Sequence, residues 1–567
     1  MLLLLFICAS LGNDEWVVKL DDSKIDPVLF AQREGFVYKG PVDYLPPGFH
    51  IFEASSSRKR SVTMGRNEGV MYAKRQEPRF FRTRSVAKTV GNIIDPLFSE
   101  QWHLEGHRHA VDIDHVPAGI NGTGVSIAIV DDGLQHSHPD LVRRYDAVHS
   151  WDFNDNDPDP TPTRSEHAHG TAAGGVAVAE RNNGVCGSGA AYGARVVGIR
   201  LIAGGVTDLV QSQGLSHNAI ANVDIYSCSW GPIDDGRSVE GPDALTEGVL
   251  AWNTNGKRGR LGKGSIYVWA AGNGRADGDS CAYDGFASSM YVNAIGAIDH
   301  HGNRSWYSEG CAALMAVTPS SGAMRGITTI DLLGNAGYTP TDCTSSFGGT
   351  SSAAPLASGL IALVLQVRPD LTWRDVKHVL AKSAVIVDPM DRDLAPRANQ
   401  RGFRHSYGYG FGALKAPRMI QVARDHKLVP ANMSTIRVPM VPTTTMDPHT
   451  GAISGGEMPF TYQFNMSAHS MNFIEHVELT VQLQHPRRGS VQIVLVSPYG
   501  TESIMAPRRP LDDGTQYGVE GWTFTSVRFW GETITATPNN VWIVRINSND
   551  ARYHGIVTGL ALAIHGY

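Results

Sequence analysis

Between residues 85 and 428, short β-branched runs recur: GVSIAIV, ARVVGIRL, VDIYSCS, GSIYVWAA and MYVNAIGAI. Stretches of small residues with helical spacing, such as GTAAGGVAVAE and APLASGLIALVLQV, are interleaved with them. Runs with no polar alternation are strands buried on both faces, and strands alternating with helices build a mostly parallel sheet covered on both sides. In such sheets function gathers beyond the carboxyl ends of the strands. The residues that follow each strand are therefore the first place to look for chemistry.

The flanks differ from this body. Residues 13–84 are polar and increasingly basic, ending in SSRKRS (Arg58, Lys59, Arg60) and PRFFRTRS (Arg79, Arg82, Arg84). Basic runs are usually solvated surface, but here they punctuate a small leading module, as cleavable junctions would. From 429 to 567, HVELTVQLQH, GSVQIVLVSPYG, NVWIVRINSN and TGLALAIHGY alternate polar and apolar residues between Pro, Gly and Asp turns, the pattern of an antiparallel β sandwich. The opening MLLLLFICASLG, residues 1–12, reads as a short secretory signal or as a buried strand. No later apolar run approaches the roughly 18 residues of a membrane span, and a net charge of −6 argues against nucleic-acid partners. Sequons at Asn121, Asn303, Asn432 and Asn465 lend weak support to a secreted, soluble protein. Of six cysteines, Cys8 lies in the leader. The remaining five fit two bridges and one leftover thiol in an oxidising compartment, the leftover being Cys228 in the strand DIYSCSWG.

Four strand or helix ends carry residue types that nucleophilic catalysis uses. Asp131 ends GVSIAIVDDG, His169 heads the helix of HAHGTAAGG, Asn273 follows a strand in VWAAGNG, and Ser351 heads the helix of GGTSSAAP. Taken alone, the last stretch reads equally as a helix N-cap. A serine hydroxyl becomes nucleophilic when a histidine takes its proton, and that histidine needs a carboxylate on its other nitrogen. A side-chain amide, together with the Ser351 backbone amide, can donate to a developing oxyanion. The chain order Asp, His, Ser is the order of the subtilisin type of triad.

With IVDDGLQHSHPDL, WDFNDNDPDP, HGTAAGG, NNGVCG, SWGPIDDG, VWAAGNG, WYSEGC, GGTSSAAP, LTWRDV, HSYGYGFG and RRGSVQIVLVSPYGT, the chain resembles the kexin/furin-type proprotein convertases of the subtilisin superfamily from about residue 14 to its end. The resemblance implies an α/β subtilisin-like catalytic domain over 85–428, preceded by a small α+β inhibitory prodomain (13–84) and followed by an all-β P (homo B) sandwich (429–567). Asp131, His169 and Ser351 would form the triad, with Asn273 as oxyanion donor. The activity implied is a calcium-dependent endoprotease that cuts precursor proteins after Arg at basic sites and is activated by autocleavage at Arg84 and then Arg60. An inactive relative that binds basic peptides is the alternative.

The same resemblance assigns Asp234 and Asp284 to the pocket for the residue before the cut, and Asp132 and Glu166 to the next pocket back. Guanidinium pairs bidentately with carboxylates and never deprotonates, so a pocket for Arg needs such residues. Further out Glu240 stays acidic, but Gly205, Gln211 and Ile233 stand where acids are often found, and Phe286 stands where a tyrosine is usual. Looser selection is implied there, and the chain's own RFFRTR junction has Phe81 four residues back and Thr83 in the penultimate place.

WDFNDNDPDP packs four aspartates into nine residues, which repel one another unless they are solvated or neutralised by a cation; Ca²⁺ suits such hard oxygens, and a solvated acidic loop is the other reading. The resemblance implies three Ca²⁺ sites. One uses Asp95, Asp140 and Asn183 with carbonyls near Val185 and Gly187, one uses Asp234, Asp279 and Glu309, and one uses Asp152, Asp157 and Asp159. It pairs Cys186 with Cys343 and Cys281 with Cys311, and it makes the leading module the enzyme's own inhibitor. Ala173 stands where a cysteine is common, Glu53 holds the place of a pH-sensing histidine with His50 nearby, and RRGS replaces the common RRGD.

Overall fold

The computed structural model describes residues 15–21, 23–42, 45–54, 70–75, 82–83, 97–255, 258–334, 336–395, 399, 401–442, 452–453, 460–513 and 518–567. The leader, Arg60, Arg84 and Asp95 lie outside them.

The strands read from the sequence form one seven-stranded sheet in the order Ala316–Pro319, Val292–Ile298, Ile266–Ala270, Ile225–Cys228, Ser126–Asp131, Arg195–Arg200, Trp151–Asp152. Every neighbouring pair is parallel. Alternation along Ser126–Asp131 sends Ile127 and Ile129 to one face and Ala128 and Val130 to the other. The first face packs against the helices His169–Val178 and Thr350–Val367, and the second against Asp208–Ser216 and Ala244–Thr254. Contrary to the expectation that no later apolar run approaches a membrane span, Thr350–Val367 is long and apolar enough to cross one, but its apolar residues are spent on the core of the sheet.

The leading module is α+β: an antiparallel sheet in the order Phe36–Pro41, Phe49–Ala54, Glu15–Leu20, Val70–Arg75, with the helix Pro27–Glu34. Val18, Leu20, Phe30, Ala31 and Phe52 make its own core, while Val17, Val42 and Leu45 join the second-face core of the large sheet. The trailing region is a sandwich of antiparallel sheets. Ser434–Pro442, Gly555–Gly566, Ile474–Gln484 and Val519–Ser526 form one, with the short strand Ala452–Ile453 also paired to Gly555–Gly566, and Phe460–Asn465, Val541–Ser548, Val491–Val496 and Glu502–Ala506 the other.

The sandwich is locked to the α/β body through a buried ion cluster. Arg374 donates two 2.8 Å bonds to the two oxygens of Glu475, and His378 lies 2.9 Å from one of them. Arg488 of RRGS is likewise structural: it is buried and pairs with Asp512. Disulfides join Cys186 to Cys343 and Cys281 to Cys311, and Cys228 is a free, buried thiol.

Candidate active site

Asp131 sits at the carboxyl end of its central strand, and His169 is the first residue of the helix packed over that end. The approach is close: a Cβ on Gly170 would lie 2.2 Å from the Gly133 carbonyl and 2.8 Å from the Asp131 Cβ, so only glycine lets the helix seat there. The result is a 2.8 Å hydrogen bond between His169 Nδ1 and Asp131 Oδ1, with both side chains buried. Burial opposes the imidazolium, but the Asp131 charge and hydrogen bond outweigh it and hold the His169 pKa above its ordinary value. The other nitrogen, Nε2, is buried and has no hydrogen-bond partner among the described residues.

Ser351 lies at the head of Thr350–Val367, after Gly349, whose φ of 75° is the left-handed region that glycine tolerates. Its hydroxyl donates to the Ser229 carbonyl at 3.3 Å. No hydrogen bond joins it to His169. The first four amides of a helix lack intrahelical acceptors, and Ser351 contributes one of them. Asn273 accepts from the Thr350 backbone amide at 2.9 Å and the Thr350 hydroxyl at 3.1 Å through Oδ1. Because a backbone N–H can only donate, this contact fixes which end of the Asn273 side chain is oxygen and leaves its NH₂ pointing elsewhere.

Ser229 leads into the short strand Trp230–Gly231, which pairs antiparallel with Arg82–Thr83, Trp230 opposite Thr83 and Gly231 opposite Arg82. The last described residues of the leading module therefore lie as an added strand alongside the residue that holds the Ser351 hydroxyl.

The acidic residues take several roles. Asp132 is buried and accepts from the amides of Gly170 (2.8 Å) and His169 (3.3 Å), so it caps the His169 helix. Burial and then the neighbouring Asp131 charge raise its pKa to about 7, against the pull of His169 and the two amides. Asp284 is buried, and its Oδ1 holds the amides of Phe286 and Ala287. Its segment forms a parallel bridge with Glu240. Phe286 has no exposed surface: it stacks on Trp269 at 5.0 Å and meets Trp230 edge-on at 5.4 Å, behind the strand that holds Arg82–Thr83. Glu166 is exposed and lies 3.7 Å from Arg164. Gln211 is buried and accepts from Thr246, while Ile233 is exposed.

Asp234, Asp279 and Glu309 surround one turn. Asp234 accepts the Asn273 amide at 3.0 Å, and Glu309 accepts the Gly274 amide at 2.9 Å. A Cβ on Gly274 would lie 2.7 Å from Asp279 Cβ and 3.0 Å from the Asp234 carbonyl. From the sandwich, Arg509 reaches Asp279 at 3.1 Å. Arg509 thus meets one of the three carboxylates, while Asp234 and Glu309 are turned to the backbone amides of the turn. Around Asp140, Asn183 donates its amide to Asp140 Oδ1, Val185 donates its amide to Asn183, and the Cys186 carbonyl accepts from Leu97. A Cβ on Gly187 would strike Gln101.

The WDFNDNDPDP loop fits a metal less well. Buried Arg200 pairs with both Asp152 and Asp155, and the loop's own amides bond Asp152, Asp157 and Asp159. Arg200 thus offsets part of the loop's charge, at Asp152 and Asp155, while Asp159 lies 3.1 Å from His136. A different grouping that can hold a metal ion is formed by Glu105, Asp112 and His115, whose ligand atoms lie within 4.8 Å of one another; Lys415 also lies 2.9 Å from Asp112.

Of the remaining residues, His50 is buried and bonded to the Tyr38 hydroxyl, and Glu53 pairs with Lys39 at 2.8 Å. Asn303, Asn432 and Asn465 are exposed, while Asn121 spends its side-chain oxygen on Thr123. Sequence reasoning missed Thr350, Ser229 and Arg509. Thr350 could have been found as the neighbour of Ser351, but nothing local links Arg509 to Asp279.

Comparison with known proteins converges on this architecture. Residues 122–410 match the Subtilase family and residues 474–564 match the proprotein convertase P-domain. The chain is 36% identical over 589 residues to the dibasic-processing endoprotease of Schizosaccharomyces pombe, covering 99% of this chain and 79% of that one. It is 37% identical over 555 residues to proprotein convertase subtilisin/kexin type 7 of Mus musculus, covering 92% and 69% respectively. Among solved structures, the serine protease of Aeromonas sobria has the same fold, with a TM-score of 0.72 at 22% identity over 90% of this chain and 99% of that one.

Proposed function

Because this chain belongs to the subtilase family of serine proteases, among the kexin- and furin-related proprotein convertases, we propose that it cleaves secretory precursors after Arg by the joint action of Ser351, His169, Asp131 and Asn273. Residues 1–12 act as the secretory signal, 13–84 as the inhibitory prodomain, 85–428 as the catalytic domain and 429–567 as the P domain.

The observation that carries this reading is the pairing of Arg82–Thr83 with Trp230–Gly231. An extended peptide added to that edge arrives beside Ser229, and the residue after Thr83 is Arg84. Rotation of the Ser351 hydroxyl from the Ser229 carbonyl to the unpartnered His169 Nε2 readies it. His169 then takes the hydroxyl proton as Oγ attacks the scissile carbonyl, and Asp131 stabilises the imidazolium. The Asn273 NH₂ and the Ser351 amide donate to the resulting oxyanion. His169 returns the proton to the leaving amine, the acyl-enzyme forms, and water releases it by the same route reversed. Asp284 and Asp234 receive the Arg guanidinium, while Asp132 and Glu166 favour a basic side chain one position back.

Thr83 in that position, and Phe81 four residues before the cut, support a demand for Arg at the cut with looser selection outward. The S. pombe relative's name speaks of dibasic processing, and this chain's own junction is less strict. Asp234, Asp279 and Glu309 would hold one Ca²⁺, which when bound supplies positive charge that steadies the pocket turn, and Asp140 and Asn183 would belong to a second, separate site. Cleavage profiling of the secreted protein and of Ser351→Ala, with and without calcium, tests the reading. Cuts after Arg by the wild type in calcium alone support it, and cleavage by Ser351→Ala or indifference to Arg contradicts it.

A further inference from the structure

The trailing sandwich contains a cavity of about 290 Å³ lined by Arg487, Arg508, Arg509 and Arg552, with Ser490, Asn549 and Asp550 between them. One carboxylate serves two of these guanidiniums. Asp550, almost fully buried, takes two bonds from Arg552 at 2.9 and 2.7 Å and one from Arg487 at 3.0 Å. Arg508 makes its hydrogen bonds to neutral acceptors, the Ser490 carbonyl at 3.1 Å and the Asn547 side-chain oxygen at 2.8 Å, and pairs with no carboxylate among the described residues. Arg509 forms the wall toward the protease. Its terminal nitrogens are spent on Asp279, Asp512, and the Ser238 and Arg237 carbonyls, yet its Nε is buried with no hydrogen-bond acceptor. Asp512 is itself shared with Arg488.

The wall therefore holds more guanidinium charge than carboxylate, and Arg508 is met only by neutral acceptors. Planar forks arranged around a small hollow match the geometry of a tetrahedral oxyanion. The volume sits at the small end of ligand pockets. We propose that this cavity is an anion-binding site that takes one sulfate or phosphate group, either as the free ion or as a terminal ester on a sulfated saccharide. Arg508 and Arg552 are its main ligands, and Asp550 is an internal competitor for Arg552 and Arg487.

The proposal does not depend on proteolysis, so its test reads binding. The full-length secreted protein is titrated by calorimetry and thermal shift with inorganic sulfate, with inorganic phosphate and with a heparin-derived tetrasaccharide, each against chloride at matched ionic strength. Saturable binding by the inorganic ions and the tetrasaccharide alike assigns the free ion, and binding tighter by about tenfold for the tetrasaccharide assigns the ester. Arg508→Gln and the exposed Arg552→Gln should each weaken binding by about tenfold, the scale of one lost charge-assisted hydrogen bond. Asp550→Asn should tighten it, because it frees two guanidiniums while keeping the shape of the side chain. Binding no better than chloride, or variants with intact melting curves that bind as the wild type does, would overturn the assignment.

Discussion

The Thr350 backbone amide donates to Asn273 Oδ1 at 2.9 Å, so the residue before the proposed nucleophile sets the orientation of the proposed oxyanion donor. The two donors that would meet the oxyanion are thereby built as one unit. Asn273→Ala should lower kcat by about 10²–10³-fold with little change in KM, the signature of an interaction made only in the transition state. Steady-state kinetics on an Arg-ending peptide check this, and a loss confined to KM would count against it.

Asp131 acts on His169 through a single 2.8 Å contact that keeps the imidazole pKa above its usual value. A base must be neutral to accept a proton, so a raised pKa moves the acidic limb of kcat/KM upward in pH. Asp131→Asn should cut kcat by about 10⁴-fold and move that limb to lower pH. Asp132→Asn should move the limb the same way with a much smaller loss of rate, since the amide oxygen still caps Gly170 while the charge is gone. Full pH profiles of both variants decide it, and an unmoved limb in both contradicts the coupling.

Calcium removal should lower both activity and melting temperature, because metal bound only by the folded chain contributes directly to stability. Glu309→Gln should raise the calcium concentration needed for half-maximal activity. Calcium titrations followed by thermal melts check both expectations. Equal melting curves in chelator and in calcium would remove the Asp234, Asp279 and Glu309 site.

Glu475 receives two bonds from Arg374 and one from His378 at the junction of the two domains. Glu475→Gln leaves a buried guanidinium without its counter-ion, a loss on the order of 3–5 kcal/mol. The variant should express poorly and melt several degrees lower. Arg374→Met with Glu475→Met should recover part of that loss, which thermal melts of the single and double variants measure.

The parallel sheet and the sandwich were readable because each rests on local periodicity, whereas the α+β leading module followed from the family resemblance. Ile127 and Ile129 face one way and Ala128 and Val130 the other, as runs buried on both faces require. Asp131 and His169 were readable because each stands at an element end, where a short-range pattern marks it. What escaped depends on contacts far apart in sequence. In the acidic WDFNDNDPDP loop, no local signal showed that Arg200, on another strand, would pair with Asp152 and Asp155. Likewise no spacing rule carries Arg509 across to Asp279. The Ser351 hydroxyl, bonded to Ser229 instead of His169, is a rotamer choice that sequence does not encode.

The most direct measurement is the intact and peptide-level mass of the purified protein after treatment with a peptidyl phosphonate ending in Arg. One adduct per chain, carried on Ser351 and absent in His169→Ala, is the predicted result. An adduct on another residue, or labelling of His169→Ala at the wild-type rate, would contradict it.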